Sequence, residues 1–539
     1  MSPRRHLTTF RLPLSVAVAA ALLPLVVLGN ACGGLEFCED GDDECAPPSG
    51  SAASSNGGDT GVGGASGAEA GAAQGGSDGK GGTGGEGQSG GGPGINGCAL
   101  SDVANMQAGC IAPDTGIFVA PVVGDRDPDD NVGTKDDPIT TVARAVELAV
   151  EKQLPIFICN TKFEEALVLD GVSDLKIYGG FKCGDWSYLP GAKATLVPPE
   201  RGYALEISGD SANIGISDVE FKAQPGADAG DSSIAAFVRE STAISLTRVK
   251  LVAGAGADGA SGTLDEFSYL EQAALNGYAE SDPEEGSSRT CDCQPTLSTT
   301  GGLGGSPVAG GQSGSDGLPD HGAGQAGTPA NMDCNNGGGG QKGNDATAES
   351  PASGATVVGQ ASVDGWEPEA GSDGSTGQPG QGGGGGASLG ASGHGGGGGC
   401  GGCGGNGGKA GGGGGASIAL LVVDAGVSIT MAVLETAEGG DGGVGHVGQA
   451  GQQDVGVGGT TLNALYSCPG GVGGKGGTGG AGGGGAGGIS VGVVYLGDEP
   501  VLDEETTFSI GDAGAGGDGG DGTNDGIAGL NQGTWSANP

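Results

Sequence analysis

A strand pattern that is stated once and then restated constrains this chain more than any other feature. Between Tyr203 and Gly259, the residues Leu205, Ile207, Ile214, Ile216, Val219 and Phe221 are apolar positions separated by polar residues or Gly. About thirty residues on, Ile244, Leu246, Val249 and Leu251 fall opposite Ile214, Ile216, Val219 and Phe221. About thirty residues back, Leu175 and Ile177 fall opposite Leu205 and Ile207. Alternation marks half-buried strands, and a fixed offset of this size marks a stacked repeat. The pattern speaks to architecture and is silent on a ligand or a reaction.

Composition limits what can surround that repeat. Gly supplies 128 of 539 residues and aromatic residues only 4 %, so few large side chains are available for a conventional core. Formal charge is −44, from 65 acidic and 21 basic residues. A field of that sign repels nucleic acid and anionic lipid, which need neutralising Lys and Arg. Nucleic-acid binding is excluded as a function class.

Arg4, Arg5 and Arg11 precede an apolar run, Leu12–Leu28, with the small residues Gly29, Asn30 and Ala31 before Cys32. This is the layout of a signal peptide over 1–31. Residues 29–32 resemble a bacterial lipobox, with Gly29 where the usual Leu stands, and imply Cys32 as a lipid-attachment site. Thirteen Cys less Cys32 leaves twelve, an even number that suits disulfides in an exported protein. Close pairs suggest Cys38 with Cys45, Cys98 with Cys110, and Cys159 with Cys183. Residues 32–97 hold the lipidation Cys and a disordered Gly- and Ser-rich linker, whose roughly fifty residues reach on the order of 40 Å.

A folded region is expected over 98–260. It opens with a strand at Gly116–Ala120, followed by a helix over Thr140–Lys152 with Val142, Ala145, Val146 and Ala149 on one face. A buried strand at Pro155–Cys159 comes next. The order strand, Gly133-Thr134 and Asp137-Pro138 turn, Ala-rich helix, strand, and Ile177–Phe181 with Trp186 resembles the N-terminal part of pectin-lyase-like right-handed parallel β-helix proteins. It is similar in particular to myxobacterial surface lipoproteins that join such a domain to Gly-rich tracts. The resemblance implies an all-β right-handed parallel β-helix, a solenoid with an N-terminal capping helix, interrupted by long Gly-rich loops.

Residues 261–415 form a Gly-rich low-complexity insert, and the strand module returns over 416–539. Ser417–Val422 echoes Ser233–Val238, Val427–Thr430 echoes Ala243–Leu246, and a third copy runs through Ile489–Tyr495 and Thr507–Ile510. These are expected to be further rungs of the same solenoid, with the Gly tracts looping out between them. Gly470–Ala481 has a period of three, as an extended threefold helix does. A flexible loop is the plainer reading of it, and packed polyglycine helices the alternative.

Candidate chemistry is sparse. Asp125, Asp127, Asp129 and Asn131 offer oxygens at alternate positions, as a calcium loop does, but the central Gly and distal Glu are missing and a solvated acidic turn is the plainer reading. Calcium is thus the one possible cofactor. Cys400 and Cys403 have metal or redox spacing without the context either needs, so structural disulfides are expected. Gly393-His394-Gly395 matches a tripeptide of polygalacturonases, but no clustered Asp residues accompany it. The basic residues Lys176, Lys182, Lys193, Arg201, Lys222, Arg239, Arg248 and Lys250 read as scattered. No catalytic residue is assigned. The expectation is a non-enzymatic lipoprotein at the outer membrane or cell surface, membrane-held through its lipid and displaying loops to glycans or other surface proteins. The alternatives are a lyase or glycoside hydrolase acting on acidic polysaccharide, and a calcium-stabilised envelope protein.

Overall fold

Seven apolar side chains stack along one line: Ile117, Ile156, Ile177, Ile216, Leu246, Ile429 and Leu502, each facing the next across a parallel strand pair. That column is the simplest statement of the fold. The computed structural model describes residues 111, 113–121, 132–331 and 333–538. The chain divides into two units, Met1–Gly87 and Gln88–Pro539, and everything described lies in the second. The expected lipidation site Cys32, the paired Cys38, Cys45, Cys98 and Cys110, and the calcium candidates Asp125, Asp127, Asp129 and Asn131 lie outside the described residues.

The strands in chain order are β1 (Ile117–Val119), β2 (Ile156–Cys159), β3 (Lys162–Phe163), β4 (Leu167–Asp170), β5 (Lys176–Phe181), β6 (Ala194–Leu196), β7 (Leu205–Ser208), β8 (Gly215–Ser217), β9 (Val219–Lys222), β10 (Ser233–Arg239), β11 (Ile244–Thr247) and β12 (Lys250–Val252). There follow β13 (Arg289–Gln294), β14 (Leu297–Gly301), β15 (Gly359–Ser362), β16 (Gly365–Pro368), β17 (Ser417–Val423), β18 (Val427–Thr430), β19 (Val433–Glu435), β20 (Ser490–Leu496), β21 (Val501–Leu502), β22 (Thr507–Ser509) and β23 (Asn531–Ser536). Three parallel sheets take all but four of them, in the orders β1-β2-β5-β8-β11-β18-β21, β4-β7-β10-β17-β20-β23 and β3-β6-β9-β12-β19-β22. None closes into a barrel. Beyond β1, each coil contributes one strand to each sheet, an arrangement consistent with an all-β, solenoid-like fold.

The helix α1 (Val142–Lys152) buries Val142, Ala145, Val146, Leu148 and Ala149 against the first coils. Glu165 accepts from the free amides of Val142 and Ala143 at its N-terminus, and Gln153 ends it in the left-handed region at φ 53°. Coils turn at single left-handed residues, among them Asp218, Arg248 and Met431 between the first and third sheets. The pair Gly179-Gly180 lies one coil below Asp218. A side chain on Gly179 would overlap the Asp218 carbonyl, so the glycines of the Ile177–Phe181 motif are set by coil stacking.

The second sheet differs from the other two. Its strand β17, Ser417–Val423, is buried at every position, because the hairpin β15–β16 and the side chains of Tyr203, Trp366 and Trp535 cover its outer face. A continuous apolar run, rather than alternation, is the sequence form of a strand buried on both sides.

Two register expectations need correcting. Leu175 and Ile177 do not face Leu205 and Ile207. Ile177 pairs with Ile216, while Leu205 and Ile207 pair with Leu167 and Leu169. That coil is longer than thirty residues because the chain between Phe181 and Ala194 makes an extra excursion, pinned by the Cys159–Cys183 disulfide. Likewise Val427 faces Ile244 rather than Ala243. Ser233 faces Ser417 as the echo implied, but the corner that follows β17 is one residue shorter than the corner after β10.

The Gly-rich tracts are ordered, which corrects the flexible-loop reading. The amides of Gly371, Gly374, Gly377, Gly380, Gly383 and Gly386 donate to the carbonyls of Gly411, Gly408, Gly405, Gly402, Gly399 and Gly396. The amides of Gly399, Gly402, Gly405, Gly408 and Gly411 donate in turn to Gly471, Gly474, Gly477, Gly480 and Gly483. From 471 onward the amides of Gly471, Gly474, Gly477, Gly480 and Gly483 return to Gly384, Gln381, Gln378, Ser375 and Ser372. Every third residue points at the same neighbour, the signature of threefold extended helices. These three legs close a triangle, and further legs at 254–263, 340–355, 437–459 and 511–520 pack around it by the same rule.

The array continues the coils. The legs at 254–263, 437–459 and 511–520 leave β12, β19 and β22, and those ending at 415, 488 and 530 enter β17, β20 and β23. Neighbouring legs of successive coils thus keep the order of the strands they join.

Candidate functional site

Three basic side chains that look scattered in sequence converge on the outer edge between the first and third sheets. Arg248, at a left-handed corner, grips the carboxylate of Asp218 one coil below, with Nε to Oδ1 at 2.9 Å and Nη2 to Oδ2 at 2.7 Å. Lys193, brought in by the excursion between β5 and β6, donates to the Arg248 carbonyl at 2.6 Å. Lys250 lies 2.9 Å from Glu435 and 3.6 Å from Glu220, above and below it, and Thr195 donates to Glu220. The ladder crosses four coils and pairs each of these three cations with a carboxylate or a carbonyl.

The electrostatics follow from that pairing. The Asp218 hydrogen bond raises Arg248 above its ordinary value, and the Glu435 hydrogen bond raises Lys250. Burial lowers Lys193, against the attraction of Asp218, and burial also raises the Tyr188 phenol beside them. Asp218 is fully buried, and Arg248 is the partner that offsets its desolvation. Replacing Arg248 by Leu is expected to cost about 3–5 kcal/mol, and the double change with Asp218→Asn much less. Equilibrium unfolding in guanidinium measures both.

The cysteines assign themselves by geometry. Cys291 and Cys293, two apart on one face of β13, bond to Cys400 and Cys403, three apart on one face of a threefold leg. A period of two meets a period of three, and both give a single face. Cys400-Gly401-Gly402-Cys403 is thus two structural disulfides, with neither metal nor redox pairing. Cys334–Cys468 ties two turns of the array. Cys159 bonds Cys183 as expected.

Two further motifs resolve into structural contacts. His394 lies 3.1 Å from Glu285, and Glu280 in the same turn accepts from Ser467 and from the Leu462 amide. In Gly439-Gly440-Asp441-Gly442, Asp441 links neighbouring legs: its amide donates to the Asp258 carboxylate, and its own carboxylate accepts from the Ala515 amide. No group of three His, Cys, Asp or Glu side chains suited to a metal occurs among the described residues, and no described helix is long and apolar enough to cross a membrane. Sequence reasoning missed the Asp218–Arg248–Lys250 ladder. Its signal was present, since Asp218 and Glu220 precede Arg248 and Lys250 by the same thirty-residue offset that relates Ile216 to Leu246.

Comparison with protein-family models, with curated proteins and with solved structures finds no match.

Proposed function

We propose that the protein is an exported lipoprotein of structural or adhesive type, built on a right-handed parallel β-helix of the pectin-lyase-like class, lipid-anchored through Cys32 and displaying a rigid glycine array. The observation that carries this reading is the order of the array. A leg such as 396–415 spans about 60 Å at the rise of a threefold helix, and disulfides clamp it at Cys291–Cys400 and Cys293–Cys403. Beyond the end of that leg, the turn Leu462–Tyr466 presents Leu462 at 74 %, Leu465 at 76 % and Tyr466 at 49 % exposure. Exposed apolar anchors on a firmly held turn are what an adhesive contact needs.

Intact mass of the mature protein tests the anchor: an acyl adduct on Cys32 is expected, and an unmodified Cys32 overturns it. Binding of the purified protein to a glycan panel and to whole cells tests the display, with Leu462→Ser and Leu465→Ser expected to abolish it.

The convergence of Lys193, Arg248 and Lys250 with Asp218 and Glu220 on consecutive coils favours a second reading, cleavage of acidic polysaccharide. Release of unsaturated or reducing ends from such polymers would support it over display.

A further inference from the structure

At the other corner of the first sheet, three side chains outside the ion-pair ladder meet. Asp174 and Asn213 are the left-handed corner residues of successive coils, at φ 59° and 55°. Asn213 Nδ2 donates to Asp174 Oδ1 at 2.6 Å. Lys176, in β5, faces Gly215 in β8. Because Gly215 has no side chain, the lysine stem lies across it: a Cβ there would come within 2.8 Å of Lys176 Cδ. The amine thereby reaches Asn213 Oδ1 at 3.0 Å and the Asn213 carbonyl at 3.1 Å. Burial lowers Lys176 from its ordinary value, against the attraction of Asp174, and so favours the neutral, nucleophilic amine.

An amine, a carboxamide and a carboxylate are thus held in sequence, the amine on the carbonyl side and the carboxylate on the side of the nitrogen that would leave. We propose that Lys176 and Asn213 form an isopeptide bond between adjacent coils, with Asp174 as the proton carrier. The Nζ lone pair adds to Asn213 Cγ and the Nζ–Cγ bond forms. The Asp174 carboxylate takes a proton from Nζ and passes it to Nδ2. The Cγ–Nδ2 bond then breaks and ammonia departs. Atoms and charge balance without an oxidant or a cofactor. The fixed approach replaces a bimolecular aminolysis, where effective molarities can reach about 10⁵–10⁸ M. The product would lock the coil of β5 to that of β8 by a covalent strut.

The test is peptide mapping of the full-length protein after reduction and alkylation. A branched peptide joining Lys176 to Asn213 is expected, about 17 Da lighter than its two linear parts, for the ammonia lost. Lys176→Arg should abolish it. Asp174→Asn keeps a hydrogen-bonding partner for Asn213, and should lower the branched fraction at least tenfold while circular dichroism stays unchanged. Linear peptides carrying free Lys176 and intact Asn213 in the wild type would overturn the bond. An undiminished branched fraction in Asp174→Asn would overturn the role of Asp174. Neither outcome bears on the anchor or on display.

Discussion

Replacing Gly398 by Ala is expected to destabilise the glycine array by about 3–5 kcal/mol, more than most single changes in a protein. A Cβ on Gly398 would overlap the carbonyl oxygen of Gly383 and stand 2.7 Å from the Gly302 amide nitrogen. Both obstacles are backbone, so no rotamer relieves them. The legs would have to part, straining the bonds from Gly398 N to Gly302 O and from Gly383 N to Gly399 O. Overpacking of about 1–3 kcal/mol adds to roughly 1 kcal/mol for each hydrogen bond lost. The control is Lys475→Ala. Lys475 stands at the third position of its Gly-Gly-X repeat and faces solvent, so its loss should cost no more than about 0.5 kcal/mol. Urea unfolding of the two variants separates a packed array from a flexible tract, which would tolerate both changes equally.

The paired disulfides should behave cooperatively. Cys291–Cys400 and Cys293–Cys403 span 109 and 110 residues, and on the chain-entropy scale a ring of about 100 residues contributes about 4.7 kcal/mol. While one bridge stands, however, the other closes only the small ring between them. Replacing Cys293 and Cys403 by Ser should therefore cost about 2 kcal/mol, and replacing all four Cys about 7 kcal/mol. The excess over twice the single loss is the quantity to measure, from unfolding midpoints of the three proteins. Simple additivity would mean that the bridges hold independent segments.

How much of this was legible depends on which side chains carried the information. The stacking of β17 on β10 could be read because Ser417–Val422 repeats Ser233–Val238 in type and order, and the structure pairs Ser233 with Ser417. The cap α1 could be read from its apolar spacing. The coil lengths could not. The buried residues of corners and excursions, Trp186 and Ala425 among them, fall outside the strand alternation, so nothing in the sequence around Phe181–Ala194 or Asp424–Gly426 counts off the register.

The array is harder still, because its information lies in absent side chains. In Gly470–Ala481 two positions of every three are Gly because two faces of that leg are covered, while Val472, Lys475 and Thr478 stand on the third. Beyond Ala481 the pattern becomes Gly482–Gly485, where the leg at 511–520 arrives and covers that face as well. Buried Gln381 and Gln452 mark places where an amide side chain replaces a missing backbone partner: Gln381 serves Gly317, Ala323 and Asn344, and Gln452 serves Leu270 and Cys403. A Gly-rich tract reads as a linker until its X positions are compared with its neighbours, and those neighbours are far apart in sequence.

Continuity of the coils through the glycine legs is tested most directly by hydrogen exchange read on peptides covering 396–415 and 470–488. Protection comparable to that of β10 and β17 is expected, since the leg amides are bonded to carbonyls as the strand amides are. Complete exchange within seconds, as in an unstructured Gly-rich linker, would contradict it.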